Sequence, residues 1–171
     1  MIKPPNSILP HLFNVAVKAV SPELCLEKHI PSPPSGKTFV VGAGKASAAM
    51  ANTFEKFWTD PLEGIVVVPY KHKVECKHIE IIEAAHPIPD QSGQLAAKKI
   101  LAAVNKLDTK DLVVALISGG GSALLPAPPS SLTLQDKQEI INVLLNSGAT
   151  IQEINVVRSS LSVIKGGKLA Q

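Results

Sequence analysis

The segment from Asp111 to Pro128, DLVVALISGGGSALLPAP, constrains the fold of this chain more than any other. A short apolar stretch, Leu112–Ile117, runs directly into three consecutive glycines, and a serine stands on each side of them. The apolar stretch has the length and composition of a strand buried on both faces, and it is too short for a stable helix of its own. The segment therefore predicts a central strand that ends in a tight turn.

The glycine loop, defined here as Ser118, Gly119, Gly120, Gly121 and Ser122, is a candidate anion-binding site. Glycines accept positive φ and let a backbone approach a ligand closely. Their N–H groups and the serine hydroxyls can converge on a phosphate or a carboxylate where a helix begins. Ligands of open α/β sheets bind at the carboxyl ends of strands, which favours this interpretation. A flexible turn without a ligand is the alternative, and the residues alone leave both open.

A second glycine turn, Gly42-Ala43-Gly44, follows the predicted strand Thr38–Val41 and precedes an Ala-rich helical pattern, Lys45–Trp58. It matches a dinucleotide fingerprint only weakly, because Ser47 occupies the position of the third glycine. A Walker loop is excluded, because the Gly-Lys-Thr triplet at 36–38 precedes its strand and lacks the first glycine.

Lys45 is the candidate phosphate-facing residue of this second turn. A lysine at the start of a helix opposes the helix dipole, so it is slightly unfavourable unless an anion lies nearby. A solvated surface lysine is the alternative, and the residues alone do not decide between the two.

The composition indicates one globular domain and excludes several classes of function. Hydrophobic residues make up 45% of the 171 residues and charged residues 18%, which is unlike a disordered chain. The net charge of +3 comes from scattered lysines without a basic run. A nucleic-acid groove needs a basic stripe and usually stacking aromatics, so no nucleic-acid partner is expected. A small anionic substrate suits the mild positive charge better.

No metal site and no membrane segment are expected. The two cysteines and five histidines lack the spacing of metal ligands. The first residues lack the charged start and long apolar core of a secretory signal, and no apolar run approaches the length of a membrane span. We therefore expect a cytoplasmic protein.

The remaining pattern alternates strands and helices. We expect strands at Leu62–Pro69 and Ile79–Ile82, and helices at Gln91–Val104, capped by Asp90, and at Leu134–Asn146, opened by a capping box at Thr133–Asp136. A first helix, Ser7–Val20 with Ser7 as its cap, should pack on the outside of the sheet. The alternation predicts an α/β fold with a doubly wound, mostly parallel sheet flanked by helices.

Two further groups of residues could bind an anion or act on a substrate. His86 lies in a loop before Pro87 and could contact substrate or serve as a general acid or base, although such a histidine is more often a hydrogen-bonded fixture. Asn155, Arg158 and Lys165 fall at near-helical spacing and could grip a phosphate or a carboxylate. A solvated helix face is the simpler interpretation of these three.

Four stretches together resemble the glycerate 2-kinase family, some of whose members were once labelled hydroxypyruvate reductases. They are VVGAGKASAAMA, EAAHPIPDQSG, VVALISGGGSALLPAP and GATIQEINVVRSSLSVIKGGKLAQ. The resemblance runs from about Leu12 to Gln171. Members of that family are much longer, so it implies that residues 1–171 are the N-terminal part of a Rossmann-like domain. The smaller C-terminal domain would then be absent. The last residues, KGGKLAQ, accordingly resemble the middle of a secondary-structure element and not its end.

The resemblance implies transfer of the γ-phosphoryl group of ATP to the 2-hydroxyl of D-glycerate, with Mg²⁺, and no binding to nucleic acid or membrane. Lys45 matches the active-site lysine of the family's GAGKA turn, which also contains Gly44. The glycine loop would cradle phosphate or the glycerate carboxylate, and Asn155, Arg158 and Lys165 would complete the anion-binding wall. His86 and Asp90 would have an architectural or substrate-side role.

The chain departs from the family pattern at Ser159, where a lysine is usual, and at Ala85, where a glycine is usual. Further catalytic residues are expected beyond Gln171. A non-catalytic anion-binding module, or an inactive truncated product, is therefore the main alternative. An NAD-dependent reductase is a third, and it rests only on the incomplete fingerprint. The oligomeric state stays open, and a homodimer is one possibility.

Overall fold

A four-stranded parallel sheet forms the centre of the protein. The computed structural model describes residues 5–171, with side chains from residue 8 onward. The strands are β1 (Thr38–Ala43), β2 (Leu62–Pro69), β3 (Ile79–Ala84) and β4 (Leu112–Ile117). The helices are α1 (Pro5–Ala19), α2 (Pro22–Cys25), α3 (Ser47–Phe57), α4 (Gln91–Val104), α5 (Gly121–Leu124), α6 (Leu134–Asn146) and α7 (Ile151–Ser160), with 3₁₀ turns at Glu27–His29 and Lys168–Ala170.

The strand order is β3-β2-β1-β4, and every described pair of neighbours is parallel. The register brings the carboxyl-terminal ends of three strands together, because Ala43 pairs with Ile117, the last residue of β4, and with Val67, two residues before the end of β2. This order places the two glycine turns, which follow β1 and β4, at the same edge of the sheet. The predicted α/β fold with a parallel sheet is confirmed.

Helices cover both faces of the sheet, as a doubly wound fold requires. On one face Val41 and Val67 pack with the α4 residues Ala97 and Ile100. On the other face, the intervening strand residues pack with Phe54 and other residues of α3. Successive strand side chains point to opposite faces, so β1 and β2 contribute to both cores. Both strands are almost fully buried for this reason.

β4 is the exception, and the prediction of a central strand buried on both faces is wrong for it. It lies at the edge of the described sheet and is buried at Leu116 but exposed on its other face. Val113 is 41% exposed and Ile117 is 58% exposed. The strand is apolar, as predicted, but no described element covers its exposed face.

α1 differs from the prediction in two ways. It begins at Pro5, so Ser7 lies inside the helix and not at its cap. It also does not pack on the sheet, since Leu12, Phe13 and Val17 on it are more than half exposed. An amphipathic period shows only that a helix has an apolar face, not which surface covers it. No described helix is long and apolar enough to span a bilayer.

The predicted helix caps are largely confirmed. The Asp90 side chain accepts a hydrogen bond from the Gly93 N–H at 3.0 Å and begins α4. Thr133 and Asp136 form the capping box of α6. The helical spacing proposed for Asn155, Arg158 and Lys165 is wrong for the last of them, because α7 ends at Ser160 and Lys165 lies in the turn beyond it.

Candidate anion-binding site

The two glycine turns are joined at the carboxyl ends of β1 and β4. The Lys45 N–H donates to the Gly119 carbonyl at 2.9 Å, and the Ser118 N–H donates to the Ala43 carbonyl at 3.1 Å. Both bonds follow from the pairing of Ala43 with Ile117 in adjacent parallel strands. Lys45 and the glycine loop, both predicted from the sequence as parts of an anion site, are therefore neighbours.

The side chain of Ser118 forms hydrogen bonds within this junction. Its Oγ accepts a hydrogen bond from the Ala46 N–H at 2.9 Å and lies 3.1 Å from Ser47 Oγ. Gly44, at φ +140°, passes so close that a Cβ there would collide with Ser118 Oγ. Glycine is needed at 44 both for its backbone angle and for this close approach. The Ser118 hydroxyl is thus occupied within the protein.

The rest of the glycine loop offers backbone donors. Gly120 has φ +88° and precedes the one-turn helix α5. A Cβ on Gly121 would come within 2.7 Å of the Ala43 carbonyl oxygen. Among the described residues, the N–H groups of Gly119 and Gly120 have no backbone acceptor. They are free to bind an anion, and the exposed Ser122 stands beside them.

His86 faces the glycine loop. A Cβ on Gly120 would lie 3.1 Å from its Nε2 atom. Partial desolvation lowers the pKa of His86 below its usual value, and the positive charges of Lys45 and Arg158 lower it further. The imidazole is therefore neutral at pH 7. The charges of Lys45 and Arg158 thus act on the imidazole that faces the glycine loop.

Arg158 and Lys165 also lie near this region. Arg158 is partly buried on α7, and burial lowers its pKa. Lys165 Nζ donates to the Leu125 carbonyl, just beyond the glycine loop, at 3.3 Å. Burial lowers the pKa of Lys165 to about 8, and the charges of Lys137 and Arg158 contribute. Asn155, one turn before Arg158, has an exposed side chain.

Lys137 is a cation of this region that the sequence analysis missed. It is only 3% exposed, and its Nζ donates to the Leu161 carbonyl at 2.7 Å. Burial lowers its pKa to about 8, and Arg158 contributes to that shift. A signal was present, because helical spacing places Lys137 between Leu134 and Ile141 on the apolar face of α6. A lysine on that face is seldom solvated.

A separate cavity of about 490 Å³ lies at the amino-terminal ends of β1 and β2. Its lining includes Phe39, Leu62, Lys106 and Leu107. The glycine turns lie at the other, carboxyl-terminal ends of the strands. Because open α/β sheets bind ligands at the carboxyl ends of their strands, we assign the functional site to the glycine-turn edge.

The described residues contain no group of three His, Cys, Asp or Glu side chains that could hold a metal ion. Asp90, the acidic residue that follows His86 in the same loop, accepts hydrogen bonds from the Gly93 N–H and from the Tyr70 hydroxyl, the latter at 2.8 Å. The site is thus formed by cations, a neutral imidazole and backbone N–H groups, which is a composition suited to anions.

Comparison with known proteins shows the family of this chain. A family model described as a domain of unknown function (DUF4147) matches residues 8–171. The chain belongs to this family. A relative from Agrobacterium vitis, named a putative hydroxypyruvate reductase, is 52% identical over 97% of this chain and 38% of its own length. A glycerate 2-kinase from Pyrococcus horikoshii is 45% identical over 80% of this chain and 31% of its own length.

A solved structure shares the fold. The crystal structure of a glycerate kinase from Thermotoga maritima superposes with a TM-score of 0.87 and 32% identity. It covers 97% of this chain, which in turn covers 41% of it. The resemblance to the glycerate kinases is thereby confirmed. The chain spans between about one third and two fifths of the length of these relatives.

Proposed function

We propose that this chain supplies part of the active site of an ATP-dependent glycerate 2-kinase. The observation that carries the proposal is that Lys45 and His86 contact the glycine loop, Lys165 contacts the segment just after it, and Arg158 lies near His86. Phosphoryl transfer needs positioning and charge neutralisation more than covalent help from the protein. A site of cations and backbone donors meets that need, and named kinases among the relatives support this choice of reaction.

In the proposed reaction the 2-hydroxyl oxygen of D-glycerate attacks the γ-phosphorus of ATP. The bond from that phosphorus to the bridging oxygen breaks, and ADP leaves. Lys45 neutralises charge on the transferred group, and the N–H groups of Gly119 and Gly120 bind its oxygens or the glycerate carboxylate. Arg158 and Lys165 bind further anionic oxygen atoms. Neutral His86 can accept the proton of the 2-hydroxyl at Nε2.

Mg²⁺ accompanies ATP in such reactions and is bound largely by the phosphates themselves. The described residues offer no cluster of carboxylates for it. We therefore assign no residue of this chain to the metal ion.

A reductase is the less supported alternative, although one relative is named a putative hydroxypyruvate reductase. A dinucleotide pyrophosphate would need free N–H groups at the turn after β1. Here the N–H groups of Gly44, Lys45 and Ala46 donate to Val67, Gly119 and Ser118. The turn is therefore closed by the neighbouring loop.

A non-catalytic anion-binding module remains the second candidate. Ser159, which stands where the family pattern usually has a lysine, favours it. It would bind phosphate compounds through the same cations without transferring a phosphoryl group.

One assay separates these functions. A polypeptide that carries this chain at the full length of the family's kinases is incubated with ATP, Mg²⁺ and D-glycerate, and the product is supplied to enolase with and without phosphoglycerate mutase. A signal with enolase alone identifies 2-phosphoglycerate and supports the kinase, whereas a signal that needs the mutase identifies the 3-isomer and contradicts the proposed regiochemistry. Calorimetric binding of ATP or glycerate without any product favours the module. Oxidation of NADH by hydroxypyruvate would instead support the reductase.

A further inference from the structure

Lys137 is a buried cation without an anionic partner. Its side chain is 3% exposed, and the one hydrogen bond of its Nζ is to the Leu161 carbonyl. The ion pairs among the described residues are Lys73–Glu75 and Lys99–Glu80, so no carboxylate pairs with Lys137 there. An unpaired buried charge is costly, and proteins keep such charges paired or bound to a ligand.

Two further cations lie close to it, on different segments. Lys137 lies on α6, Arg158 on α7, and Lys165 in the turn that follows α7. Lys137 binds the carbonyl of Leu161, the C-cap residue of α7, three residues after Arg158. The bond from the Val163 N–H to the Ala127 carbonyl holds the turn that contains Lys165 against the segment after the glycine loop. In keeping with this placement, the charge of Arg158 lowers the pKa of both lysines, and that of Lys137 lowers the pKa of Lys165. Three like charges repel one another and would be avoided unless an anion offsets the repulsion.

Each lysine retains free donors. An ammonium group has three N–H donors. Lys137 uses one on the Leu161 carbonyl and Lys165 uses one on the Leu125 carbonyl, which leaves two on each. The guanidinium of Arg158 adds a planar set of donors that matches an oxyanion. Together these groups can surround one tetrahedral anion.

We propose that Lys137, Arg158 and Lys165 form one subsite for a phosphate-type oxyanion, with Lys137 as its buried floor. The proposal rests on the proposed function only in the choice of a phosphate compound, which could be the polyphosphate of the nucleotide or the phosphate of the product. It adds Lys137 as an anion-binding residue and gives the unpaired charge a counterion.

A purely structural role for Lys137 makes different predictions. The bond to Leu161 links α6 to the end of α7, so its loss alone would lower stability without changing anion affinity in the folded protein. Lys168 provides the matched control, because its Nζ donates to the adjacent Ser162 carbonyl at 2.7 Å while the residue is exposed. It should contribute little to the subsite.

The test is calorimetric titration of the 171-residue chain with tripolyphosphate at pH 7 and constant ionic strength. We expect Lys137→Met to weaken binding at least tenfold, Lys137→Arg to stay within threefold of the wild type, and Lys168→Met to have no effect. Unchanged affinity in a folded Lys137→Met protein, or no binding by the wild type, would overturn the proposal. Parallel titrations with 2-phosphoglycerate and ATP distinguish the two sources of the anion.

A second measurement covers the case in which Lys137→Met does not fold. Sulfate is titrated into the wild-type chain at pH 8 in two buffers with different ionisation enthalpies. An anion that binds the subsite should draw protons onto the partly deprotonated lysines, so we expect uptake of about one proton. Binding without proton uptake contradicts the subsite. Neither measurement depends on phosphoryl transfer, so absence of kinase activity would leave this result unaffected.

Discussion

His86 and Gly120 face each other across the candidate site, because a Cβ on Gly120 would lie only 3.1 Å from the Nε2 atom of His86. Gly120 also has φ +88°, an angle that side-chain-bearing residues rarely adopt. Two constraints therefore favour glycine at this position: the positive backbone angle and the nearby imidazole of His86. This relationship ties the HPIPD loop to the glycine loop.

Gly120→Ala should destabilise the protein by about 1–2 kcal/mol, because it places a Cβ in the left-handed region and against the imidazole of His86. Urea unfolding measures the change. Gly119→Ala is the matched control, since a Cβ there meets nothing within 4 Å and its φ is not positive. The control should stay within about 0.5 kcal/mol of the wild type. Equal losses in the two variants would contradict this account of Gly120.

Asp90→Ala should cost about 1–2 kcal/mol of stability, because it removes the cap of α4. The carboxylate also accepts a hydrogen bond from the Tyr70 hydroxyl at 2.8 Å. Tyr70→Phe removes only that second bond from an exposed side chain, and we expect a loss of about 0.5 kcal/mol. Thermal and urea unfolding compare the two. If Tyr70→Phe costs as much as Asp90→Ala, the cap is not the main contribution.

The local elements were predictable where the sequence itself contains the cause. β2 and β4 match their predicted bounds, since apolar runs between turn residues define a buried strand, and the caps of α4 and α6 depend on residues three apart. The exposure of apolar side chains on β4 and α1 was not predictable, because it depends on whether a distant segment of the chain covers that face. Lys165 was placed on the wrong element, since the end of α7 at Ser160 carries no strong stop signal of its own.

The candidate site was predictable only in part. Lys45 and the glycine loop follow from two βα turns of one parallel sheet, whose carboxyl ends share an edge. The engagement of the Ser118 hydroxyl and the burial of Lys137 arise from contacts between segments far apart in the chain. A charge count could not have shown that two of the scattered lysines and the single arginine lie close together without a carboxylate among them.

Lys45→Met should lower turnover at least a thousandfold in a polypeptide that carries this chain at the full length of the family's kinases. The substitution removes the charge that stabilises the transferred phosphoryl group while keeping the length of the side chain. The Lys45 N–H bond to Gly119 belongs to the backbone, so the fold should be retained. Lys106→Met is the control, because Lys106 lines the cavity at the amino-terminal ends of the strands. Near-normal formation of 2-phosphoglycerate by Lys45→Met would remove Lys45 from the mechanism.

The two buried lysines give the ligand-free protein a characteristic pH dependence. Lys137 and Lys165 each have a pKa of about 8 in the folded chain, below the usual 10.5. Between those values the unfolded chain binds more protons than the folded one, so stability rises as the pH rises through about 8. Cys76, whose pKa burial raises from 9.0 to about 11, has the opposite effect above pH 9. The rise should therefore be visible between about pH 7.5 and 9.

Urea unfolding at pH 7.5, 8.2 and 9.0 measures this rise, which we expect to be on the order of 1 kcal/mol. Lys137→Met should roughly halve it, because one of the two titrating lysines is gone. Lys168→Met should leave it unchanged. Saturating tripolyphosphate should abolish the rise in the wild type, since a bound anion favours the protonated lysines and returns their pKa toward the usual value. A slope that is the same in Lys137→Met and the wild type would show that Lys137 is not the buried titrating group.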